Sequence, residues 1–454
     1  MKLESLQACP LPTSGVLDTA PANCCAVHMN TDSISQRRVA GTLAILAAFV
    51  SISAESVAAA DAPAWPRFHG PNGDNISAEH GLLEKWPAEG PKLLWTAQGI
   101  GEGYASVTIA NDRIYTAGDV GSDLVIFALD MEGRIQWQVK NGAAWPEAGP
   151  AGSRGTPTID GERLYHENAH DELVCLEAAT GKKIWGINLA AEFGGARDGF
   201  GRAESLLIDG DRVICSPGGA VAVAALDKLT GRTLWKSPSA DEAASYISPF
   251  IVTYQGLRLV ITMSSRCLIG VNAETGDLLW KFEHFTPRYV ANCVTPVYHD
   301  GRIFISGGYG LGSALLKINV QGEKATVEPV WRAKDLDNRH GGVIRLGDFV
   351  YGTGHFNNNG KWVCLDWNTG QTKWAKKDLG ESSFTCVNGL LYTINEHGAV
   401  GLLRPSPAGY ELISQFKIPA GGEGPTWAHP VVCGGRLYIR HGDRLYAYDV
   451  RAGS

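Results

Sequence analysis

The stretch Ala225-Leu-Asp-Lys-Leu-Thr-Gly-Arg-Thr-Leu-Trp235 decides the fold, because variants of it recur along the chain. Four clear variants begin at Ala128, Cys175, Gly270 and Cys364 and end at Trp137, Trp185, Trp280 and Trp374, and degenerate copies end at Trp331 and Phe416. Asp or Asn opens a turn by bonding to its own backbone, and Gly supplies a positive φ. We expect the Trp on the strand that follows to pack against the next unit.

A second phrase comes before the first in each unit and reads as a strand of the type Arg-Ile-Tyr or Arg-Leu-Tyr. It occurs at Asn111–Tyr115, Gly161–Tyr165, Gly301–Phe304, Gly389–Tyr392 and Gly435–Tyr438. The aromatic residues that close the units recur every 42 to 51 residues. Four short strands per unit at this period predict the blade of a β-propeller.

The two ends of the chain carry complementary parts of one blade. The last unit, residues 429–450, has three strands and no closing Trp, whereas Lys92-Leu-Leu-Trp95 has no blade in front of it. We therefore predict an all-β, eight-bladed propeller of four-stranded antiparallel blades over residues 92–454. Residues 92–97 are the predicted outer strand of the last blade, which removes the exposed sheet edges. Residues 61–91 are predicted to be an N-terminal extension that packs on the propeller.

Composition excludes several other classes of protein. With 55 Gly, 13 Trp and only 19% charged residues, the chain is unlike a helical bundle or a coiled coil. The net charge is −7 and no basic run appears beyond Arg37-Arg38, which argues against a nucleic-acid partner. Seven Cys follow residue 60 without a Cys-x-x-Cys pair, so we expect buried free thiols and no zinc ribbon or attached haem.

The N-terminus has the pattern of a targeting region. Arg37-Arg38 precedes an apolar stretch, residues 39–52, and then Ser56-Val-Ala-Ala-Ala60. This order predicts a leader and signal peptide over residues 1–60, cleaved after Ala60, and an exported protein that is periplasmic or extracellular. Met29 is an alternative start, and both general secretion and twin-arginine export fit. The apolar stretch is short for a bilayer span, so we expect a protein that does not span the membrane. We also expect the exported protein to be a monomer.

Ligands of propellers bind at the channel mouth, which is lined by the residues just before each innermost strand. The same register in each blade gives a polar and aromatic set of candidate ligand-binding or cofactor-binding residues, with His429 beside it. The set is Tyr104, Arg154, Glu204, Tyr246, Asn292, His340, Ser383 and Trp427. No catalytic residue and no metal ligand is predicted.

The repeat, Ala-x-Asp-x-x-x-Gly-x-x-x-Trp, resembles the PQQ-like repeat of the quinoprotein alcohol dehydrogenase-like propellers. Trp65-Pro-Arg-Phe-His-Gly-Pro-Asn-Gly-Asp, Gly101-Glu-Gly-Tyr104, His340-Gly-Gly and Trp427-Ala-His-Pro430 are most similar to the exported PQQ-binding-like propellers common in planctomycete-type bacteria. The resemblance covers residues 65–450. It implies the propeller fold, and it implies either a quinoprotein dehydrogenase or a scaffold without enzymatic activity.

A quinoprotein dehydrogenase needs an aromatic floor, a calcium ion held by carboxylate and amide oxygens, an Asp base, and a cation on the quinone. Many members also carry a Cys-Cys disulfide, but here the only such pair is Cys24-Cys25 in the leader. The sequence has no haem motif and no calcium-loop cluster. These departures favour an exported binding or scaffold module for a protein or an envelope polymer. A PQQ-dependent dehydrogenase that oxidises a small alcohol or a polymer, with PQQ and calcium as cofactors, is the alternative.

Overall fold

Eight antiparallel sheets follow one another along the chain, as the repeat predicts. A computed structural model describes residues 63–145, 151–197, 199–284 and 291–453. The signal peptide, the alternative start at Met29 and cleavage after Ala60 lie outside the described residues. Within these residues there are 33 strands and one short helix, and no helix has the length and apolar character needed to cross a bilayer.

Two strands, β1 (Ile76–Ser77) and β2 (Lys92–Gln98), come before the first blade. Blades 1 to 3, each from the innermost strand outward, are β3 (Thr108–Ala110), β4 (Arg113–Val120), β5 (Asp123–Asp130) and β6 (Ile135–Ala143); β7 (Thr158–Asp160), β8 (Arg163–Glu167), β9 (Glu172–Glu177) and β10 (Lys183–Asn188); and, after helix α1 (Leu189–Phe193), β11 (Leu207–Asp209), β12 (Arg212–Cys215), β13 (Ala224–Asp227) and β14 (Thr233–Lys236). Blades 4 and 5 are β15 (Phe250–Tyr254), β16 (Leu257–Met263), β17 (Cys267–Asn272) and β18 (Leu278–Glu283); and β19 (Val297–His299), β20 (Arg302–Gly307), β21 (Gly312–Gln321) and β22 (Lys324–Ala333). Blades 6 to 8 are β23 (Val343–Leu346), β24 (Phe349–Thr353), β25 (Trp362–Asp366) and β26 (Thr372–Lys376); β27 (Ser382–Val387), β28 (Leu390–Asn395), β29 (Ala399–Ser406) and β30 (Gly409–Lys417); and β31 (Val431–Cys433), β32 (Arg436–His441) and β33 (Arg444–Asp449).

The ring closes through a strand from the start of the chain, and this prediction is confirmed. Strand β2 pairs antiparallel with β33, with Lys92 opposite Asp449 and Gln98 opposite Arg444. Blade 8 therefore has three strands from the end of the chain and its outer strand from the beginning. The outer strand β2 lies about 350 positions before its partner β33 in sequence, so closure joins the two ends of the propeller.

The closing Trp of most blades packs against the turn of the next blade, as the sequence predicts. The indole of Trp185 in blade 2 lies over the turn glycine Gly231 of blade 3, where an added Cβ would lie 2.7 Å from the ring. The same Trp donates from Nε1 to the carbonyl of Lys228 at 3.1 Å. Equivalent contacts, Trp95 over Gly133 and Trp331 over Gly370, join blade 8 to blade 1 and blade 5 to blade 6. We call this arrangement the Trp–Gly contact.

Blade 5 departs from the pattern. Its outer hairpin is long, with ten residues in β21 and ten in β22, and it lacks the Thr-Gly turn of blades 2, 3, 4 and 6. The glycine of its turn, Gly322, has open space around it, and Trp280 of blade 4 packs instead over Gly270 of its own blade. Its Nε1 is buried without a hydrogen-bond partner among the described residues. The degenerate copy that ends at Trp331 thus corresponds to a blade whose turn glycine is not covered by the Trp of the preceding blade.

The described part of the N-terminal extension enters the ring. The backbone of Trp65 exchanges two hydrogen bonds with Ile109 of β3, at 2.8 and 2.9 Å. Strand β1 pairs in parallel with β27, and Ser77 Oγ donates to the carbonyl of Val432 in β31 at 3.0 Å. A segment that contacts the innermost strands of blades 1, 7 and 8 lies inside the ring of blades. We call residues 65–77 the channel segment.

Six of the seven cysteines that follow residue 60 are buried free thiols, as predicted, and Cys293 is half-buried.

The tyrosines of the second phrase pack beside the closing Trp of their own blades, with ring centroids 6.0 Å apart for Tyr165 and Trp185. Both recurring phrases therefore contribute to one aromatic layer between blades.

The Trp–Gly contact can be separated from the conformational demand of the turn. Gly231→Ala meets both a positive φ of +74° and the ring of Trp185, whereas Gly210→Ala meets only a positive φ of +61° with open space around it. We expect Gly231→Ala to lower the free energy of unfolding by about 2–4 kcal/mol and Gly210→Ala by about 1–2 kcal/mol. Denaturant unfolding of the two variants measures the difference. Equal losses would show that the indole contributes nothing at this position.

Candidate functional site

The loops that precede the innermost strands converge on a cavity of about 320 Å³ at the channel mouth. Backbone-to-hydroxyl bonds tie these loops to one another: Ser106 N donates to Thr156 Oγ1, Thr156 N to Ser205 Oγ, and Ser205 N to Ser248 Oγ, at 2.9–3.0 Å. Six of the nine predicted site residues line this one cavity: Tyr104, Arg154, Tyr246, His340, Trp427 and His429.

Two of the other three predicted residues, Glu204 and Asn292, have their side chains turned away from the cavity. Glu204 accepts a hydrogen bond from the backbone of Ser216 at 3.1 Å, and Asn292 donates to the carbonyl of Ser265 at 2.8 Å. Successive side chains of an extended segment point to opposite sides, so the residues on either side face the cavity instead. These are Ala203 and Ser205 in blade 3, and Ala291 and Cys293 in blade 5. The predicted register is therefore off by one in these two blades.

The register method also missed several lining residues. Arg339 lies next to the predicted His340, so it was within one residue of the predicted set. Tyr309 and Phe200 come from loops outside the register, and Phe68 comes from the channel segment. No spacing in the sequence indicates that Phe68 reaches the mouth, because its position depends on the entry of the channel segment into the ring. Ser383 is also absent from the lining, and its hydroxyl donates to the carbonyl of Trp427 at 2.9 Å.

Trp427 is the centre of an aromatic wall. Its ring centroid lies 4.8 Å from that of Tyr104 and 5.2 Å from that of His340. The Arg339 guanidinium lies over the same indole at 5.3 Å, and Trp427 Nε1 donates to Glu396 Oε1 at 2.6 Å. The indole is thus held on one edge by a charged acceptor, and its faces are available to aromatic and cationic neighbours.

Carboxylates behind this wall neutralise one of its two arginines. Arg339 Nε donates to Glu381 Oε1 at 2.9 Å, and its terminal nitrogen pairs with Glu396. Burial would raise the pKa of Glu381, but contacts with His340 and His355 and the charge of Arg339 hold it well below the usual value. Glu381 is therefore an anion at neutral pH, and it compensates the cation inside the wall.

The second arginine, Arg154, lies over the ring of Tyr104 at 5.6 Å and donates to the carbonyl of Gly152 at 3.1 Å. Burial lowers the pKa of this guanidinium. At the floor, His69 Nε2 is 3.3 Å from His429 Nδ1, and His429 Nε2 is 3.0 Å from the carbonyl of His340. Burial lowers the pKa of His429 to about 4, so this imidazole is neutral at pH 7.

The lining does not fit a quinone paired with calcium. Calcium takes oxygen ligands, mainly from carboxylates and amides. None of the described lining residues is Asp, Glu, Asn or Gln. Among the described residues as a whole, no group of three or more His, Cys, Asp or Glu could hold a metal ion. Aromatic rings and arginines, which a quinone site also needs, are present in the cavity. The oxygen donors for calcium are not found in the described lining.

Behind blade 3, Glu204 belongs to a buried acidic cluster. Arg202 Nε pairs with Asp171 at 2.7 Å and lies 3.4 Å from Glu167, and all three side chains are buried. Burial raises the pKa of Glu167 to about 7, and burial and the charge of Glu167 raise the pKa of Glu204 well above its usual value. The cluster holds more acidic than basic groups, so it binds protons near neutral pH.

This cluster predicts a pH dependence of stability. Because the pKa of Glu167 rises from 4.5 to about 7 on folding, the native state holds a proton that the unfolded chain has already released between these values. Stability is therefore lost as the pH rises through this window. Glu167→Gln removes the cost, so at pH 8 it should be more stable than the wild type by roughly 1–3 kcal/mol, and by less at pH 5.

Denaturant unfolding at pH 5 and pH 8 tests this dependence. Glu328→Gln is the control, because Glu328 is exposed and lies 3.9 Å from its nearest cation, and it should leave the difference between the two pH values unchanged. A Glu167→Gln variant that loses stability at pH 8 would contradict the assignment.

The sequence is similar to proteins of a known family. The sequence family described as outer membrane protein assembly factor BamB matches residues 122–376, which is more than half of the chain. The assembly factor BamB of Shewanella oneidensis is 23% identical over 259 residues, covering 55% of this chain and 63% of that protein. The chain therefore spans less than two thirds of the length of this relative.

Two solved structures share the architecture. BamB from Moraxella catarrhalis has a TM-score of 0.57 and 18% identity, covering 80% of this chain and 98% of its own. The quinohemoprotein alcohol dehydrogenase from Comamonas testosteroni has a TM-score of 0.58 and 12% identity, covering 86% of this chain and 81% of its own. At these identities the likeness shows the fold alone, and one fold serves both an assembly factor and an enzyme.

Proposed function

The chain belongs to the family described as outer membrane protein assembly factor BamB, and we propose that it is an exported binding module whose channel mouth holds a protein or an envelope polymer. The observation that carries this proposal is the composition of the mouth. Aromatic side chains dominate the lining and the described part of it contains no carboxylate. Such a surface suits contact with another macromolecule better than acid–base chemistry.

The rim of the mouth supports the same proposal. Phe356 is 63% exposed, the most of any large apolar side chain among the described residues. It stacks on His355 at 4.4 Å and meets the ring of Tyr309, a lining residue, at 5.6 Å. An exposed aromatic ring continuous with an aromatic cavity is typical of a contact surface, because its burial by a partner is favourable.

A dehydrogenase is the second candidate. The aromatic and guanidinium lining favours it, and the lack of oxygen donors for calcium in the described lining argues against it. A dye-linked alcohol assay with added PQQ and calcium tests it. We expect no turnover above the rate without protein. Turnover that depends on PQQ and is lost in Arg154→Ala would replace the binding proposal.

Site-specific photo-crosslinking tests the binding proposal. We expect p-benzoylphenylalanine at position 356 to give discrete adducts in the cell envelope, because this position lies on the proposed contact surface. The control carries the same group at Leu229, which is 52% exposed and lies on the turn between β13 and β14. Mass spectrometry of the adducts separates a protein from a glycan polymer.

The control decides the interpretation of the adducts. Adducts from position 356 that are absent from position 229 support a partner at the mouth. Equal labelling from both positions, or none from position 356, would count against the proposal.

A further inference from the structure

A groove of about 440 Å³ lies between blades 4, 5 and 6, away from the mouth. It is built from the turns that follow the innermost strands of these blades. At about 3.3 Å per residue, the seven residues from Cys293 at the mouth to Asp300 in the groove carry the chain roughly 20 Å along β19. The groove is therefore on the opposite face of the ring. We call it the blade 5–6 groove.

Arg345 is the first unusual residue of the groove. In blades 1 to 3 the equivalent position of the innermost strand is Ile109, Ile159 or Ile208, each opposite an apolar residue of the second strand. In blade 6 the same register places Arg345 opposite Val350. Blades 5, 7 and 8 have Tyr298, Cys386 and Val432 at this position, so a cation occupies a place that is uncharged in these other blades. Departures from a local rule of this kind concentrate at functional sites.

The guanidinium of Arg345 is held in place but makes few polar contacts. It lies 5.2 Å from the ring of Trp367, which is itself buried. Its Nε is buried and has no hydrogen-bond partner among the described residues, and its nearest carboxylate oxygen, on Asp348, is 4.0 Å away. Burial lowers its pKa. A stacked guanidinium with unused donors is suited to bind a carboxylate in a bidentate manner.

Arg302 is a second cation of the groove. In blade 3 the equivalent residue, Arg212, reaches the turn of the next blade and pairs with the Glu274 carboxylate at 2.8 Å. Arg302 reaches the same place in blade 6 and meets the amide of Asn368 at 3.0 Å. An amide accepts the hydrogen bond but carries no charge, so Arg302 has no carboxylate partner among the described residues at this seam, like Arg163 of blade 2, which meets the carbonyl of Leu229.

A third cation, Lys317, also lines the groove, and its Nζ is 3.9 Å from Glu328. The groove contains two carboxylates as well, Asp300 and Asp348, and the latter side chain is 72% exposed. A ligand of this groove therefore needs hydrogen-bond donors as well as negative charge. A peptide supplies both, because its backbone N–H groups can donate to the acids and its side-chain carboxylates can bind the arginines.

We propose that the blade 5–6 groove binds an acidic segment of a protein partner, with Arg345 and Arg302 receiving its carboxylates. This site is separate from the mouth and uses different residues. It would give the propeller two binding faces joined by one rigid ring. The proposal does not depend on what the mouth binds.

Fluorescence anisotropy with the full chain and a labelled hexaglutamate peptide tests the proposal. Arg345→Ile is the decisive variant. It introduces the isoleucine that blades 1 to 3 have at this position, so the variant should melt at or above the wild-type temperature. We expect it to raise the Kd for the peptide at least tenfold, and we expect added salt to weaken wild-type binding. Arg404→Gln is the control, because it removes an exposed arginine of blade 7 that is paired with Glu411. It should change the Kd less than twofold.

The same assay with a labelled oligogalacturonate of equal charge tests the class of ligand. Tighter binding of the glycan, lost in Arg345→Ile, would overturn the choice of a peptide. Equal weakening by Arg404→Gln would show a diffuse charge effect and would overturn the site. A wild-type Kd above 1 mM for hexaglutamate would overturn it as well. Tyr104→Ala at the mouth should leave peptide binding unchanged, which separates this test from that of the mouth.

Discussion

The ring depends on the packing of an indole over a glycine in the next blade. The glycine meets two demands at once, because its turn needs a positive φ and its missing Cβ leaves room for the ring, as at Gly231 under Trp185. The contact joins neighbours, so no blade has it alone and the last must make it with the first. Trp95 over Gly133 does so, and Phe416 covers Gly90 in the segment that leads into β2. The coexistence of many Gly and many Trp in the composition follows from this contact.

The blades and their closure could be predicted from the sequence because their signals are local. A turn residue, a glycine and a closing aromatic lie within about ten positions of one another, and each copy carries the same information. The exceptions have non-local causes. Trp280 lies on Gly270 because the hairpin of blade 5 is long and its turn glycine, Gly322, some forty residues further along, is not in contact with the indole. The parallel pairing of Ile76 with Cys386 joins distant residues by a short strand with no periodicity.

The candidate site was predicted less completely than the fold, for a reason of geometry. A register argument locates a position along the chain to within one residue, but a shift of one residue in an extended segment turns the side chain to the other side. Tyr104, His340 and Trp427 fell on the lining side, whereas Glu204 and Asn292 fell on the buried side. Phe68 was out of reach of any such argument, since its segment enters the ring from outside the repeat.

A repeat protein contains its own controls, and these decide where chemistry should be sought. Residues that recur in most blades, such as the turn acids and the closing Trp, are engaged in building the ring. Residues that differ from their equivalents in other blades are not required by the fold. Arg345 is a difference of this kind, because the equivalent position is uncharged in the other blades, and it lines the blade 5–6 groove beside Arg302 and Lys317. A cation at this place is better explained by a ligand than by the architecture, because the architecture is satisfied without it elsewhere in the same ring.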